Sequence, residues 1–185
     1  MFIRSERLFL RPGWPEDWQE LHARIADEGV VRNLASAPWP YTAEHARDFV
    51  GQSQDQRCPH FLVTLPTSSG PAALVGGVGL GRIEGEVELG YWISREHWGQ
   101  GFATEASRAV LSLARTLGHR QIVAGHFIDN PASGAVLRKV GFAQTGRLRQ
   151  RHSLARGYTA QSVEYQLDLG ERCDCDDGEA AMRAA

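Results

Sequence analysis

The chain is poor in cysteine, almost without net charge, and has no apolar run long enough to cross a bilayer. Cys58, Cys173 and Cys175 are its only cysteines, two of them one residue apart near the end, and so odd and uneven a set outlines no disulfide framework. The 20 basic and 22 acidic residues leave a formal charge of -2, which gives no global basic field, and no direct nucleic-acid partner is expected. The opening residues, Met-Phe-Ile-Arg-Ser-Glu-Arg, lack the apolar core of a signal peptide, so a cytoplasmic protein without membrane contact is the expectation. Metal-ligand spacing is missing as well. The 7 histidines form no close cluster with carboxylates or cysteines at a zinc spacing, and Cys173-Asp-Cys175 reads more simply as part of an acidic tail than as a soft-metal chelate, so no metal is expected.

What is present suffices for one domain. At 185 residues the chain can bury a sizeable core without covalent staples. Residues 1–170 read as a single α/β domain, and 171–185 as an acidic, alanine-rich tail that carries no apolar stripe and is expected to be disordered. Leu8 and Leu10 alternate with Phe9 and Arg11 into a short strand stopped by Pro12 and Gly13. Trp18 to Ile25 has helical spacing, and Thr42 can cap a second helix through Phe49 and Val50. Residues 61–65, 73–80 and 86–93 read as an antiparallel meander with turns over 66–71 and 81–85. In the third of these strands Val87, Leu89, Tyr91 and Ile93 share one face and Glu86, Glu88, Gly90 and Trp92 the other. Ala106, Val110, Leu113, Ala114 and Leu117 then recur at helical spacing up to Gly118, and 122–127 supplies another strand. Asn130-Pro131 looks like an N-cap followed by proline at the first helical position, with Gly141 closing that helix. In a final strand Val163, Tyr165, Leu167 and Leu169 alternate with Ser162, Glu164, Gln166 and Asp168.

The most informative stretch is Gly90-Tyr-Trp-Ile-Ser-Arg-Glu-His-Trp-Gly-Gln-Gly-Phe-Ala-Thr-Glu-Ala106. A strand runs into a turn carrying Gly99, Gly101 and Ala103, and a helix opens directly behind it. Such a turn aims several unpaired backbone N–H groups at one point, which suits a phosphate-bearing ligand. Gly101 lets the backbone approach closely, whereas Glu105 would repel phosphate if it leaned inward and is expected to face solvent. The stretch lacks both the full Gly-x-Gly-x-x-Gly series of a dinucleotide fold and the Gly-Lys-Ser/Thr ending of a nucleotide P-loop.

Taken with Asn130-Pro-Ala-Ser133 and Arg138-Lys-Val-Gly-Phe142, this stretch makes residues 2–170 resemble the GCN5-related N-acetyltransferase (GNAT) superfamily, and within it the ribosomal-protein N-terminal acetyltransferase (RimJ/RimL-like) branch. The resemblance implies an α/β fold with a mixed, mostly antiparallel central sheet, flanked by helices and splayed between its fourth and fifth strands, here 86–93 and 122–127. It implies acetyl-coenzyme A (acetyl-CoA) as cosubstrate, held by Trp98, Gly99, Gln100, Gly101, Phe102, Ala103 and Thr104 together with Asn130 and Ser133, with its pantetheine arm in the splay. Trp98 stands where the superfamily loop has Gln or Arg. Leu137 stands where many members have a tyrosine acid, so that mechanism does not carry over.

Acetyl transfer from a thioester needs a neutral amine, stabilisation of the developing oxyanion and a neutralised leaving thiolate. Glu88 is the leading candidate for the base, since its strand is expected beside the thioester; its other reading is an exposed strand acid, and Glu86 shares its face. Ser133 matches the branch's serine near the cofactor sulfur, as proton donor or as contact, while local physics offers a first-turn serine bonding nearby backbone. Asn130 is either a pantetheine contact or an N-cap. Trp14, Trp39, Tyr41, Arg149, Arg151, His152, Arg156 and Tyr158 sit in loop-prone regions that the resembled fold brings toward the acceptor, and His97 reads as a solvated turn residue. The expected acceptor is a protein N-terminal α-amine; a free small-molecule amine and a noncatalytic acetyl-CoA-binding module are the alternatives, and a homodimer is left open.

Overall fold

The computed structural model describes residues 1–68 and 70–170, so the acidic tail with Cys173 and Cys175 lies outside the described residues. Strands β1 (Ile3–Arg4), β2 (Phe9–Arg11), β3 (His60–Leu65), β4 (Ala73–Ile83), β5 (Glu86–Ile93), β6 (Gln121–Phe127), β7 (Ala143–Ser153) and β8 (Tyr158–Asp168) form one sheet in the order β1-β2-β3-β4-β5-β6-β8-β7. All neighbours pair antiparallel except β5 and β6, which run parallel. These two are the strands expected to splay; they become fifth and sixth because Ile3–Arg4 adds a strand at the edge.

Helices cover both faces. α1 (Trp18–Ile25), α2 (Glu28–Val31) and α3 (Ala43–Gly51) bury Leu21, Ile25, Val30, Val31, Ala46 and Val50 together with Leu62 and Leu74. α4 (Phe102–Thr116) and α5 (Pro131–Lys139) bury Phe102, Ala106, Val110, Leu111 and Leu137 together with Phe61, Val63, Val75, Leu89 and Ile122. Each such large aliphatic or aromatic side chain contributes about 1.5–3 kcal/mol relative to leaving it in water, so the faces, not the caps, hold the layers. Thr42 caps α3 as its sequence suggests, accepting from the His45 N–H, and Gly118 and Gly141 follow α4 and α5 with positive φ. Tyr41, placed by sequence in a loop near the acceptor, is instead buried in the α1–α3 layer.

Two strand boundaries need correction. β4 continues to Ile83, so the turn expected over 81–85 shrinks to Glu84 and Gly85, both at positive φ as a two-residue hairpin requires. Arg149, Arg151 and His152 lie not in a loop but in β7, and Tyr158 opens β8. β7 is an edge strand whose one large aliphatic side chain, Leu148, is exposed, so no alternating apolar stripe marks it.

The feature that positions the site is the parting of β5 from β6. They share the register Glu88 to Val123; beyond it Gly90 to Ile93 pair with β4 alone, and Gly125 to Phe127 with β8 alone. A gap opens in the middle of the sheet toward the C-terminal ends of both strands. At those ends stand the turn into α4 and the turn into α5.

Candidate active site

The turn into α4 is built to leave backbone donors free. Gly99 and Gly101 have φ of 75° and 81°, in the left-handed region that costs other residues about 1–2 kcal/mol. The first intrahelical bond runs from Glu105 N–H to the Gly101 carbonyl at 3.1 Å, so the N–H groups of Phe102, Ala103 and Thr104 precede it and face out of the helix N-terminus. Trp98 ties the turn back to β5 through Nε1, which donates to the Ile93 carbonyl at 2.7 Å, while its ring stays half exposed. The side chain at the position of the family's Gln or Arg therefore props the turn. His97, expected in solvent, is largely covered and bonds Ser94 Oγ through Nδ1 at 2.8 Å.

Glu105 does not face solvent. It accepts from Ser5 Oγ at 2.7 Å, the Arg7 N–H at 2.7 Å and Arg7 Nε at 2.8 Å. Burial pushes its carboxyl upward, but the bonds from Arg7 and Ser5 outweigh it, and the group is held below the ordinary glutamate range. Arg7 also donates through Nη1 to the Gln100 carbonyl at 3.0 Å and lies 4.7 Å over the Phe102 ring. The β1–β2 hairpin thus fixes the loop and turns its one carboxylate away. Arg7 was not singled out from sequence, because nothing local connects it to a turn more than ninety residues away.

Across the gap, Tyr91 of β5 meets Ser133 of α5. Its hydroxyl lies 2.8 Å from Ser133 Oγ and 3.0 Å from the Ser133 carbonyl. Burial pushes the Tyr91 phenol up to about 12, against the opposing Ser133 hydrogen bond, so it remains a donor at neutral pH. The Ser133 hydroxyl therefore engages a neighbouring strand instead of its own helix turn. Asn130 caps α5, its Oδ1 accepting from the Ser133 N–H at 3.3 Å, which leaves the amide nitrogen for another partner. Leu137 is fully buried in the core.

At the closed end of the gap lies a cluster of charges. Glu88 is not an exposed strand acid: its side chain is 11% exposed and Oε1 sits 2.7 Å from Arg151 Nη2. Burial raises its pKa, opposed chiefly by Arg151, and the net displacement is upward. Beside it Arg149 contacts Glu86 at 3.0 Å, Glu84 at 3.4 Å and the buried Glu164 of β8. Glu86, Glu88, Arg149, Arg151, Ser162 and Glu164 line one cleft with Val123 and Gly125. His152 points to the opposite, exposed side of β7. Sequence alone named Arg149 and Arg151 for the acceptor region but gave Glu164 no part in the site.

The turn between β7 and β8 is clasped to the helical layer. Arg156 donates to both oxygens of Asp129 at 2.9 and 2.8 Å and through Nε to the Arg32 carbonyl at 2.9 Å, and Arg32 reaches the same carboxylate at 3.0 Å. Arg156 and Tyr158 thus stand beside the turn into α5, while Trp14 is taken up by Arg11, whose guanidinium lies 4.1 Å over its ring. Among the described residues no group of three or more His, Cys, Asp or Glu could hold a metal ion, and no helix is long and apolar enough to cross a membrane.

A family model described as an acetyltransferase (GNAT) domain matches residues 7–143. An N-acetyltransferase of Bacillus subtilis, YoaA, is 29% identical over 154 residues, covering 80% of this chain and 86% of its own. The ribosomal-protein-serine acetyltransferase of Escherichia coli is 34% identical over 89 residues, 46% of this chain and 50% of its own. Among solved structures RimL, a ribosomal L7/L12 α-N-protein acetyltransferase in complex with coenzyme A, shares the fold with a TM-score of 0.74 at 23% identity, over 91% of this chain and 98% of its own.

Proposed function

The chain belongs to the acetyltransferase (GNAT) family and is an acetyl-transferring enzyme; from that premise we propose that it moves the acetyl group of acetyl-CoA to a protein or peptide N-terminal α-amine by direct attack in a ternary complex. The observation that carries the proposal is the gap between β5 and β6 with the free N–H groups of Phe102, Ala103 and Thr104 at its mouth. The residues fit the cosubstrate. A Cβ at Gly99 would meet nothing within 4 Å, and the carboxylate of the first turn of α4, Glu105, is held by Ser5 and Arg7. The amides of residues 102–104, supported by the helix dipole, would hold the pyrophosphate, with Trp98, Gln100 and Gly101 shaping the turn and the Asn130 amide nitrogen left as a donor for the arm. When bound, acetyl-CoA supplies an activated acyl carbon and a thiolate leaving group.

The chain's own groups then divide the proton work. Glu88, desolvated and displaced toward neutral pH, accepts the proton of the attacking amine directly or through water. Tyr91 and Ser133 place hydroxyls on the α5 side of the gap, where hydrogen-bond donation suits a sulfur gaining negative charge. An α-amine, with a pKa of about 7.7–8.0, has an appreciable neutral fraction near neutral pH, unlike a lysine side chain at about 10.4. Relatives that act on ribosomal proteins support the same acceptor class. Mass spectrometry of matched peptides, with free or blocked N-termini and with or without lysine, tests it. The expected result is one added acetyl group on free N-termini regardless of lysine. Acetylation that needs lysine, that survives N-terminal blocking, or that appears only on small amines overturns the acceptor.

A further inference from the structure

We propose that Arg151 is a positioning residue for the transfer, holding the Glu88 carboxylate ionised and in place within the cleft from the edge strand β7. The inference rests on the reading of Glu88 as the base. Its first support is geometric. Arg151 Nη2 lies 2.7 Å from Glu88 Oε1, and the two side chains are 23% and 11% exposed. The guanidinium crosses the sheet where β6 has a glycine: a Cβ at Gly125 would stand 3.8 Å from Arg151 Nη1 and 3.0 Å from Ser162 Oγ.

The second support is the division of labour between two arginines of one face of β7. Arg149 is shared among Glu84, Glu86 and Glu164, whereas Arg151 is directed to Glu88. The charged groups facing Glu88 are therefore Glu86 from its own strand, Glu164 from β8, and Arg149 and Arg151 from β7. Removing Arg151 leaves a buried carboxylate among two acids and one already engaged cation. Such a group stays protonated to higher pH and no longer accepts the amine proton near neutrality. A purely structural arginine that only fastens β7 to the sheet would instead lower stability and leave the pH dependence of turnover unmoved.

The test is the pH profile of kcat for the full chain with a saturating free α-amine peptide, comparing wild type, R151M, R151K and E88Q, with acetyl-CoA affinity measured by calorimetry. R151M is expected to lose roughly tenfold in kcat near neutral pH, with the loss shrinking as pH rises, R151K regaining part of it and acetyl-CoA affinity unchanged. A profile for R151M that overlays wild type, or that is lowered equally at every pH, overturns the positioning role. Should R151M not fold, R151Q, which keeps a donor but no charge, reads the same displacement. If E88Q retains full kcat, the reading of Glu88 as base fails instead, so the two failures are distinguishable.

Discussion

Replacing Gly101 by alanine tests the proposed anion-binding role of the loop with the smallest perturbation available. At φ 81° and ψ 2° the residue is left-handed, and a Cβ there would stand 3.5 Å from Arg7 Nη2, an ordinary contact, so the cost is torsional and not steric. That cost is about 1–2 kcal/mol, which for a chain of this length lowers Tm by roughly 2–8 °C if the loop keeps its shape. If the loop relaxes instead, the N–H groups of Phe102, Ala103 and Thr104 turn away from their common focus. Losing one charge-assisted bond at about 1.5–3 kcal/mol weakens acetyl-CoA binding about 10- to 150-fold. Calorimetric titration and thermal denaturation of the same samples separate the two. Gly51→Ala, at the end of α3 in open space and without positive φ, is the control: it leaves acetyl-CoA affinity unchanged and does not lower Tm. A Gly101→Ala protein whose Tm is not lowered, because the loop has relaxed, and that still binds acetyl-CoA as tightly as wild type would refute the claim that these amides are the anion site.

Glu105 gives a pH signature of stability. Its folded carboxyl is held below its ordinary value, so its contribution is fully present above the unfolded glutamate pKa of about 4.3 and is lost as pH falls through the depressed folded value. After discounting for Arg7, which is 45% exposed, wild type exceeds Glu105→Gln by about 1 kcal/mol at neutral pH, and denaturant midpoints of the two converge in acid; a gap that persists there counts against the linkage. Gly134→Ala improves helix propensity by about 1 kcal/mol but drives a Cβ to 2.5 Å from His126 Nε2 and 2.9 Å from the Tyr165 hydroxyl, both buried. Overpacking of about 1–3 kcal/mol wins, so urea denaturation should find the variant less stable, and a gain in stability would show that α5 rides more loosely on β6 and β8 than the distances imply.

The half of the candidate site proposed to face the cosubstrate was legible as local structure because it is written in backbone. Gly99, Gly101 and the helix periodicity behind them encode a turn by local conformational cost, and Asn130-Pro131 encodes a cap by the same local rules. What escaped was whatever depends on side chains reaching across the sheet. Glu105 reads locally as an early helical acid bound for solvent; only the arrival of Arg7, 98 residues away, reverses that. Tyr91 sits visibly on the apolar face of β5, yet its hydroxyl acquires a role only when the splay brings α5 opposite it. β7 was missed for a related reason. An edge strand whose inward side carries arginines in place of apolar residues has no period-2 hydrophobic signal, although Arg149 and Arg151 alternate with Gln150 and His152 as a strand must.

That substitution of charge for apolar surface bears on function. Burying carboxylates and guanidiniums costs several kcal/mol of desolvation per ion, which their mutual attraction seldom more than restores, and apolar side chains of similar size would join β7 and β8 to the sheet at least as stably. Much of the rest of the sheet is packed in that way: Leu62, Leu74, Leu89 and Ile122 are fully or almost fully buried on its two faces. The charges gather where β5 leaves β6, strands that share a single paired register before they part. Stability does not account for Glu88 and Arg151 at that point. The proton acceptance proposed for Glu88 does, because it needs both the burial that raises the group's pKa and the neighbouring cation that keeps it ionised enough to act.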